Sequence, residues 1–323
     1  MGLRVLYTGR FRKGTPIPDI VKMVHYNHPE VEFVPYTPTE GGDVILGIHR
    51  SIPEDKSSTR KVMFIGSIPT LRKSNNRDDI GSLDHTIFIS DFCKKVFVSA
   101  WKFKNYSTFL PVGGMPADDN LEPILNKRII SGPIKFVAVA KWYKRPYKRK
   151  DQIIELYQNY LRKEYPDSTL HMVGSLGDKV KDGVHYHKKS FSKYELVEFI
   201  KGCHVHIIPT PFDEGPHTVP ESLHYRVPFV CSNNCCGSEY IDRLGNCGIA
   251  VETEKTIDCW NNYKLFKPLD YRSKFVRNEI PYDKYFNAVK KIVDNFEEYT
   301  SWTWNEKLNY RDQSDKLYNI LKG

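Results

Sequence analysis

Strand-like and helix-like patterns alternate along almost the whole of this 323-residue chain. The alternation breaks once, about a third of the way along, and then starts again. These two observations predict an α/β protein of two doubly wound, mainly parallel-sheet domains facing a cleft, because alternating strands and helices close into parallel sheets covered on both faces. A hydrophobic content of 40% over this length is enough for one large or two medium cores, and two is the expectation.

The first domain is read from five short apolar runs, LRVLYTG, EVEFVPY, DVILGIH, KVMFIGS and HTIFIS, each ending in turn or polar residues. Gly, Pro and acidic residues without periodicity then mark a linker over about residues 112–133. The second domain begins with the strand IKFVAVAKW and the amphipathic helix DQIIELYQNYLRKEY, whose apolar spacing is near 3.6. The strand STLHMVGS and the helix SKYELVEFIKGC follow. HVHIIPT reads as a strand, FDEGPH as the loop at its carboxyl end, TVPESLHYR as a helix, Val227 to Cys231 as the next parallel strand, and GIAVE as the last. The tail from Tyr282 is helical and ends aromatic and charged. The domains are placed at 1–130 and 131–300, with a C-terminal helix over 301–323.

A net charge of +9 implies acidic partners, such as nucleotides, nucleic acid or an anionic membrane met peripherally. No stretch approaches the ~20 apolar residues of a membrane span, and the opening MGLRVLYTGRFRKG lacks the apolar core of a signal peptide. A soluble, cytoplasmic protein is expected. Seven cysteines without a CxxC pair read as reduced thiols rather than a zinc set.

Residues 212–231 carry the densest chemistry. A helix beginning after a strand leaves unpaired N–H groups and a positive dipole end facing the crevice where doubly wound sheets bind ligands. Glu214 enters from the loop and Glu221 lies on the helix, a set that suits a ligand part phosphate and part polyol. Lys141 to Lys150 holds six cations and three aromatics. In isolation this run reads equally as a polyanion patch or a solvated loop, and its place after a strand favours phosphate binding by one or two of its members. Gly9 to Gly14, after the first strand, lines an acceptor side or is an ordinary loop. His185 and His187 alternate as strand residues, and Trp302 and Trp304 read as packing.

With those residues in place, the second half resembles retaining glycosyltransferases of the GT-B fold, family 4, over about residues 134–320. The resemblance rests on Ala140-Lys141 and the basic run after it, Met172-Val173-Gly174, Glu214-Gly215, Glu221, Arg226 to Val230, Gly237 to Ile241, and Ser301 to Trp304. In the first domain only Thr86 to Gly114 looks similar, and its shortness is like that of compact virus-encoded members. The resemblance implies two Rossmann-like domains with the C-terminal helix crossing back to the first. It implies transfer of a hexose from a nucleoside-diphosphate sugar, GDP-mannose or a UDP-hexose with a lean to the former, to a glycan or glycoconjugate hydroxyl. Attack from the leaving-group side would then leave no dedicated protein nucleophile.

By the same resemblance Lys141 sits at the family's Arg position, and Arg149 or Lys148 stands for its Lys. Gly174 and Gly215 match its glycines, and His217, Thr218 and Val219 supply backbone donors. Glu221 holds the ribose and Glu214 faces the hexose. The chain departs from the pattern at several points. Glu214 and Glu221 enclose six residues rather than the family's seven, a spacing that Asp213 meets, so either acid can take the first role. Lys141 lacks the bidentate fork of arginine. Where many members carry a first-domain His, this chain has Gly66-Ser67, with His49 and His85 as loose substitutes; Gly9, Arg10, His49 and Ser67 are the acceptor-side candidates. No Asp-x-Asp occurs, and the side chains of Asp78-Asp79 and Asp118-Asp119 would diverge, so no tightly bound metal or other cofactor is expected. A catalytically silent nucleotide or polyanion binder, and a transferase acting on nucleic acid, are the alternatives.

Overall fold

Short apolar runs of Val, Ile, Leu and Phe that do not alternate with polar residues bury both faces of a strand, which parallel sheets demand. A computed structural model describes residues 2–8, 16–48, 52, 59–65, 83–98, 103, 105–109, 127–140, 142, 148–174, 179–187, 191–211, 213, 215, 218–253, 279–302 and 310–323. The chain divides into two units, Met1–Val112 with Asn305–Gly323, and Gly113–Trp304.

In the first unit the order is β1 (Arg4–Thr8), α1 (Pro16–Asn27), β2 (Glu32–Pro35), β3 (Val44–Ile48), β4 (Arg60–Ile65), β5 (His85–Phe88), α2 (Asp91–Val98) and β6 (Tyr106–Thr108). The strands form one sheet, β2-β1-β3-β4-β5-β6, with every pair parallel. The central strand β3 is buried along its whole length. Five of these strands are the five runs read from the sequence; β6 is an addition, three residues long and too short to show a period.

The second unit runs β7 (Lys135–Val139), α3 (Lys150–Leu156), β8 (Thr169–Val173), β9 (Lys179–Lys181), β10 (Val184–His187), α4 (Lys193–Lys201), β11 (Val205–Ile208), α5 (Thr218–His224), β12 (Phe229–Ser232), α6 (Gly237–Leu244), β13 (Gly248–Val251) and α7 (Tyr282–Asp294). Past Leu156, α3 continues through a π turn at Tyr157–Leu161. The sheet order is β13-β12-β11-β7-β8-β10-β9, and only the β9–β10 pair is antiparallel. Phe136, Leu170, Val205 and Val230 of the sheet pack with Leu156, Tyr285 and Ile292 of the helices in one core. The SKYE start of α4 forms a capping box, with the Ser192 hydroxyl accepting from the Glu195 N–H at 3.2 Å and the Glu195 carboxylate from the Ser192 N–H at 2.8 Å.

The last helix, α8 (Tyr310–Lys322), belongs to the first unit. Leu317 and Leu321, one turn apart, are fully buried. Asn27 donates to the Ser314 hydroxyl at 2.7 Å, His28 Nε2 meets Asp315 at 2.8 Å, and the His28 and Tyr318 rings stack at 3.8 Å. Lys316 donates to the Thr108 carbonyl at 2.8 Å.

The units divide at 112/113 and 304/305, whereas the sequence places the boundaries at 130/131 and 300/301. Residue 128 is already fastened to the second unit. The Arg128 guanidinium donates to the carbonyls of Tyr225, Lys201 and Cys203 at 3.2, 2.8 and 3.0 Å, where α5 and α4 end and their last carbonyls lack helical partners. The units thus divide at the start of the linker read over about residues 112–133 rather than near its end. Among the described residues no helix is long and apolar enough to cross a membrane.

Candidate functional site

In the second sheet, β7 comes first in the chain yet lies inside, with β8 on one side and β11 on the other. Strand order reverses at that point, and the crevice beyond the carboxyl ends of such a pair is where open α/β sheets bind ligands. The segment after β7 delivers Lys148 and Arg149, the segment after β11 delivers Asp213, and the first turn of α5 delivers Glu221.

The Lys148 ammonium forms an ion pair with Asp213 Oδ2, and the two side chains are only 12% and 13% exposed. Asp213 is itself held on two further sides. Its Oδ1 accepts from the Gly215 N–H at 3.2 Å, and its carbonyl accepts from the Cys236 N–H at 2.9 Å beside a parallel bridge to Cys235. These bonds tie the loop after β11 to the connection between β12 and α6. Arg149 opens α3 with a left-handed backbone, φ 59°, and is buried. A left-handed arginine is uncommon, and such residues persist only where their surroundings enforce them.

Glu221 is 5% exposed. Next to it, the Ser222 hydroxyl donates to the Thr218 carbonyl at 3.0 Å, so the His206 Nδ1–H donates to that hydroxyl at 2.7 Å. His206 lies wholly inside, and burial, with the Lys148 charge adding to it, pushes its pKa down to about 3. It is neutral at physiological pH and ties α5 to β11. With seven residues, α5 is a short dipole.

At the end of β8, Gly174 has φ 119°, and an added Cβ would lie 2.0 Å from the Ala140 carbonyl oxygen. Strands β7 and β8 close tightly there: Ala140 N–H and Trp142 Nε1 both donate to the Val173 carbonyl, at 3.1 and 2.9 Å. The Val-Gly ending is thus a position that only glycine fits.

Of the residues singled out in the sequence, Lys148, Arg149, Gly174, Asp213, Gly215, Thr218, Val219 and Glu221 fall at the carboxyl edge of the second sheet. Lys141, Glu214 and His217 lie outside the described residues, as do Gly9, Arg10, His49 and Ser67 of the first unit. His206 and Ser222 were not anticipated. A polar residue inside the otherwise apolar run HVHIIPT was the available signal, because a buried imidazole needs a partner.

Two parallel-sheet units of these strand orders, with the terminal helix returned to the first, make the GT-B fold. Solved structures share it. HepE from Anabaena, in complex with UDP and glucose, matches with a TM-score of 0.58 and 10% identity over 99% of this chain and 99% of that one. WaaG, a glycosyltransferase involved in lipopolysaccharide biosynthesis, matches at 0.56 and 12% identity over 99% and 100%. The pneumococcal O-GlcNAc transferase GtfA, in complex with UDP and GlcNAc, matches at 0.53 and 11% identity over 95% of this chain and 60% of its own, so the chain spans about three-fifths of GtfA's length. No protein-family model matches the chain, and no curated protein matches it in sequence. At these identities the likeness establishes the fold.

Proposed function

We propose that this protein is a retaining glycosyltransferase that moves a hexose from a nucleoside-diphosphate sugar, with a UDP-hexose the first donor to test, to a hydroxyl of a glycan or glycoconjugate. The observation that carries this reading is the Lys148–Asp213 pair, with a buried Glu221 in the first turn of α5, in the segments after the strand-order switch of the second sheet. A departing nucleoside diphosphate carries about two negative charges that need stabilising as the glycosidic bond breaks. Lys148 supplies charge for that, with Arg149 and Lys141 as further cations of the same segment. Glu221 accepts from the ribose hydroxyls, and an acid of the 213–214 pair faces the hexose. Cations take the place of a metal in this reading. UDP is preferred over GDP because the GT-B structures of HepE and GtfA contain it.

Calorimetric titration with a panel of UDP-hexoses and GDP-mannose, with and without a chelator, tests the proposal. At least one sugar nucleotide should bind below millimolar concentration, be slowly hydrolysed, and keep its affinity when metal is removed. A panel in which nothing binds at millimolar concentration refutes the reading, and loss of affinity on chelation refutes its metal independence. Release of the sugar with inverted anomeric configuration would refute retention.

A further inference from the structure

We propose that Asp213 is a positioning residue: it holds the Lys148 ammonium over the carboxyl ends of β7 and β11, so that a donor's diphosphate meets a fixed cation. The inference rests on the function proposed above and narrows it, since it leaves the hexose-facing role to Glu214.

A carboxylate next to a phosphate site needs a reason, because alone it would repel the ligand. Asp213 is anchored on three sides, through Oδ2 to Lys148, through Oδ1 to the Gly215 N–H, and through its carbonyl to the Cys236 N–H. Lys148 lies 65 residues away in sequence, on a different segment. The anchored member thus restrains the long, many-rotamer one before a ligand arrives. The same logic appears where a paired carboxylate presents a phosphate-binding lysine in protein kinases. His206, near enough to feel the Lys148 charge, is itself neutral.

The test is a double-mutant cycle read by calorimetry in the full chain. The ligand is the tighter-binding of UDP and GDP, with its nucleoside as control. Asp213→Asn should weaken the diphosphate roughly tenfold and the nucleoside by less than about twofold, as loss of a charge-assisted hydrogen bond to the cation implies. Lys148→Met should weaken the diphosphate at least as much, and the double variant should be no weaker than Lys148→Met alone. Asp213→Glu, which keeps the charge, should bind more tightly than Asp213→Asn and gives a second reading if the amide unfolds the loop. Unchanged or tighter diphosphate binding in Asp213→Asn, or additive losses in the double variant, overturns the inference and leaves the proposed function standing. A wild-type protein that binds neither nucleotide overturns both.

Discussion

The two units share an architecture but differ in how one set of long-range polar contacts is placed and buried. In the first, a half-buried to exposed set lies where the end of the chain returns: His28 on Asp315 and Tyr318, Asn27 on Ser314, and Lys316 on the Thr108 carbonyl. In the second, a more deeply buried set lies at the carboxyl ends of β7 and β11 and in the turn of α5 against β11. The first set fastens a helix, while the second orders a cation and a helix start at the point where wound sheets take ligands. One fold thus carries two uses of similar interactions, and the burial and position of a pair relative to the strand ends tell them apart.

Substitutions that act on one unit test this division. The largest effect is expected from Gly174→Ala, which combines a left-handed backbone with a contact into the Ala140 carbonyl; it should cost about 4 kcal/mol and lower the thermal transition of the second unit. Gly132→Ala meets nothing within 4 Å at φ 84° and should cost only about 1 kcal/mol. Equal costs would show that the tight closure of β7 on β8 carries no weight. Leu317→Ala should remove about 3 kcal/mol from the first unit through the cavity it leaves without moving the transition of the second. A shift of both would dissolve the distinction between them.

A smaller effect concerns the site. Glu221→Gln should weaken binding of the nucleotide about tenfold, roughly 1.4 kcal/mol, with both melting transitions within a degree or two of wild type by calorimetry. An unchanged affinity would remove Glu221 from the ribose.

A further difference is in pH response. Burial first, helped by neighbouring charges, holds His171 and His206 at about 3 and His204 at about 4, against an ordinary 6.5. Burial, opposed by Glu198, also lowers His224 to about 4. All four lie in the second unit, whereas the first has His85, lowered mainly by burial. A histidine depressed in the fold is neutral there but takes a proton in the unfolded chain below 6.5, so its stabilisation is complete above that pH and is lost as pH falls toward 4 and then 3. Scanning calorimetry between about pH 7 and about pH 4.5 should therefore show the second unit losing stability faster than the first. Parallel loss would mean that these histidines do not set the acid response.

Much of this was legible in the residues. The buried strands β1, β3, β4, β11 and β12 announce themselves as apolar runs, and SKYE announces the start of α4. Lys148, Gly174, Asp213 and Glu221 are legible as residues near strand ends. Strands β6 and β9 are not, since three residues cannot establish a period. The linker read over about residues 112–133 opens where the units divide, at 112/113, whereas the 130/131 boundary falls inside the second unit, where Arg128 is fastened by carbonyls 73 to 97 residues away.

The sequence by itself determined the α/β class, the order of most strands and helices along the chain, and which segments carry charge, because these depend on local periodicity and turn chemistry. Tertiary structure alone decided that β7 lies between β8 and β11, that Asp213 meets Lys148, and that His206 is sealed under α5. Each of these joins residues distant in sequence. Such pairs are chosen by the packing of whole elements, which the local pattern does not encode.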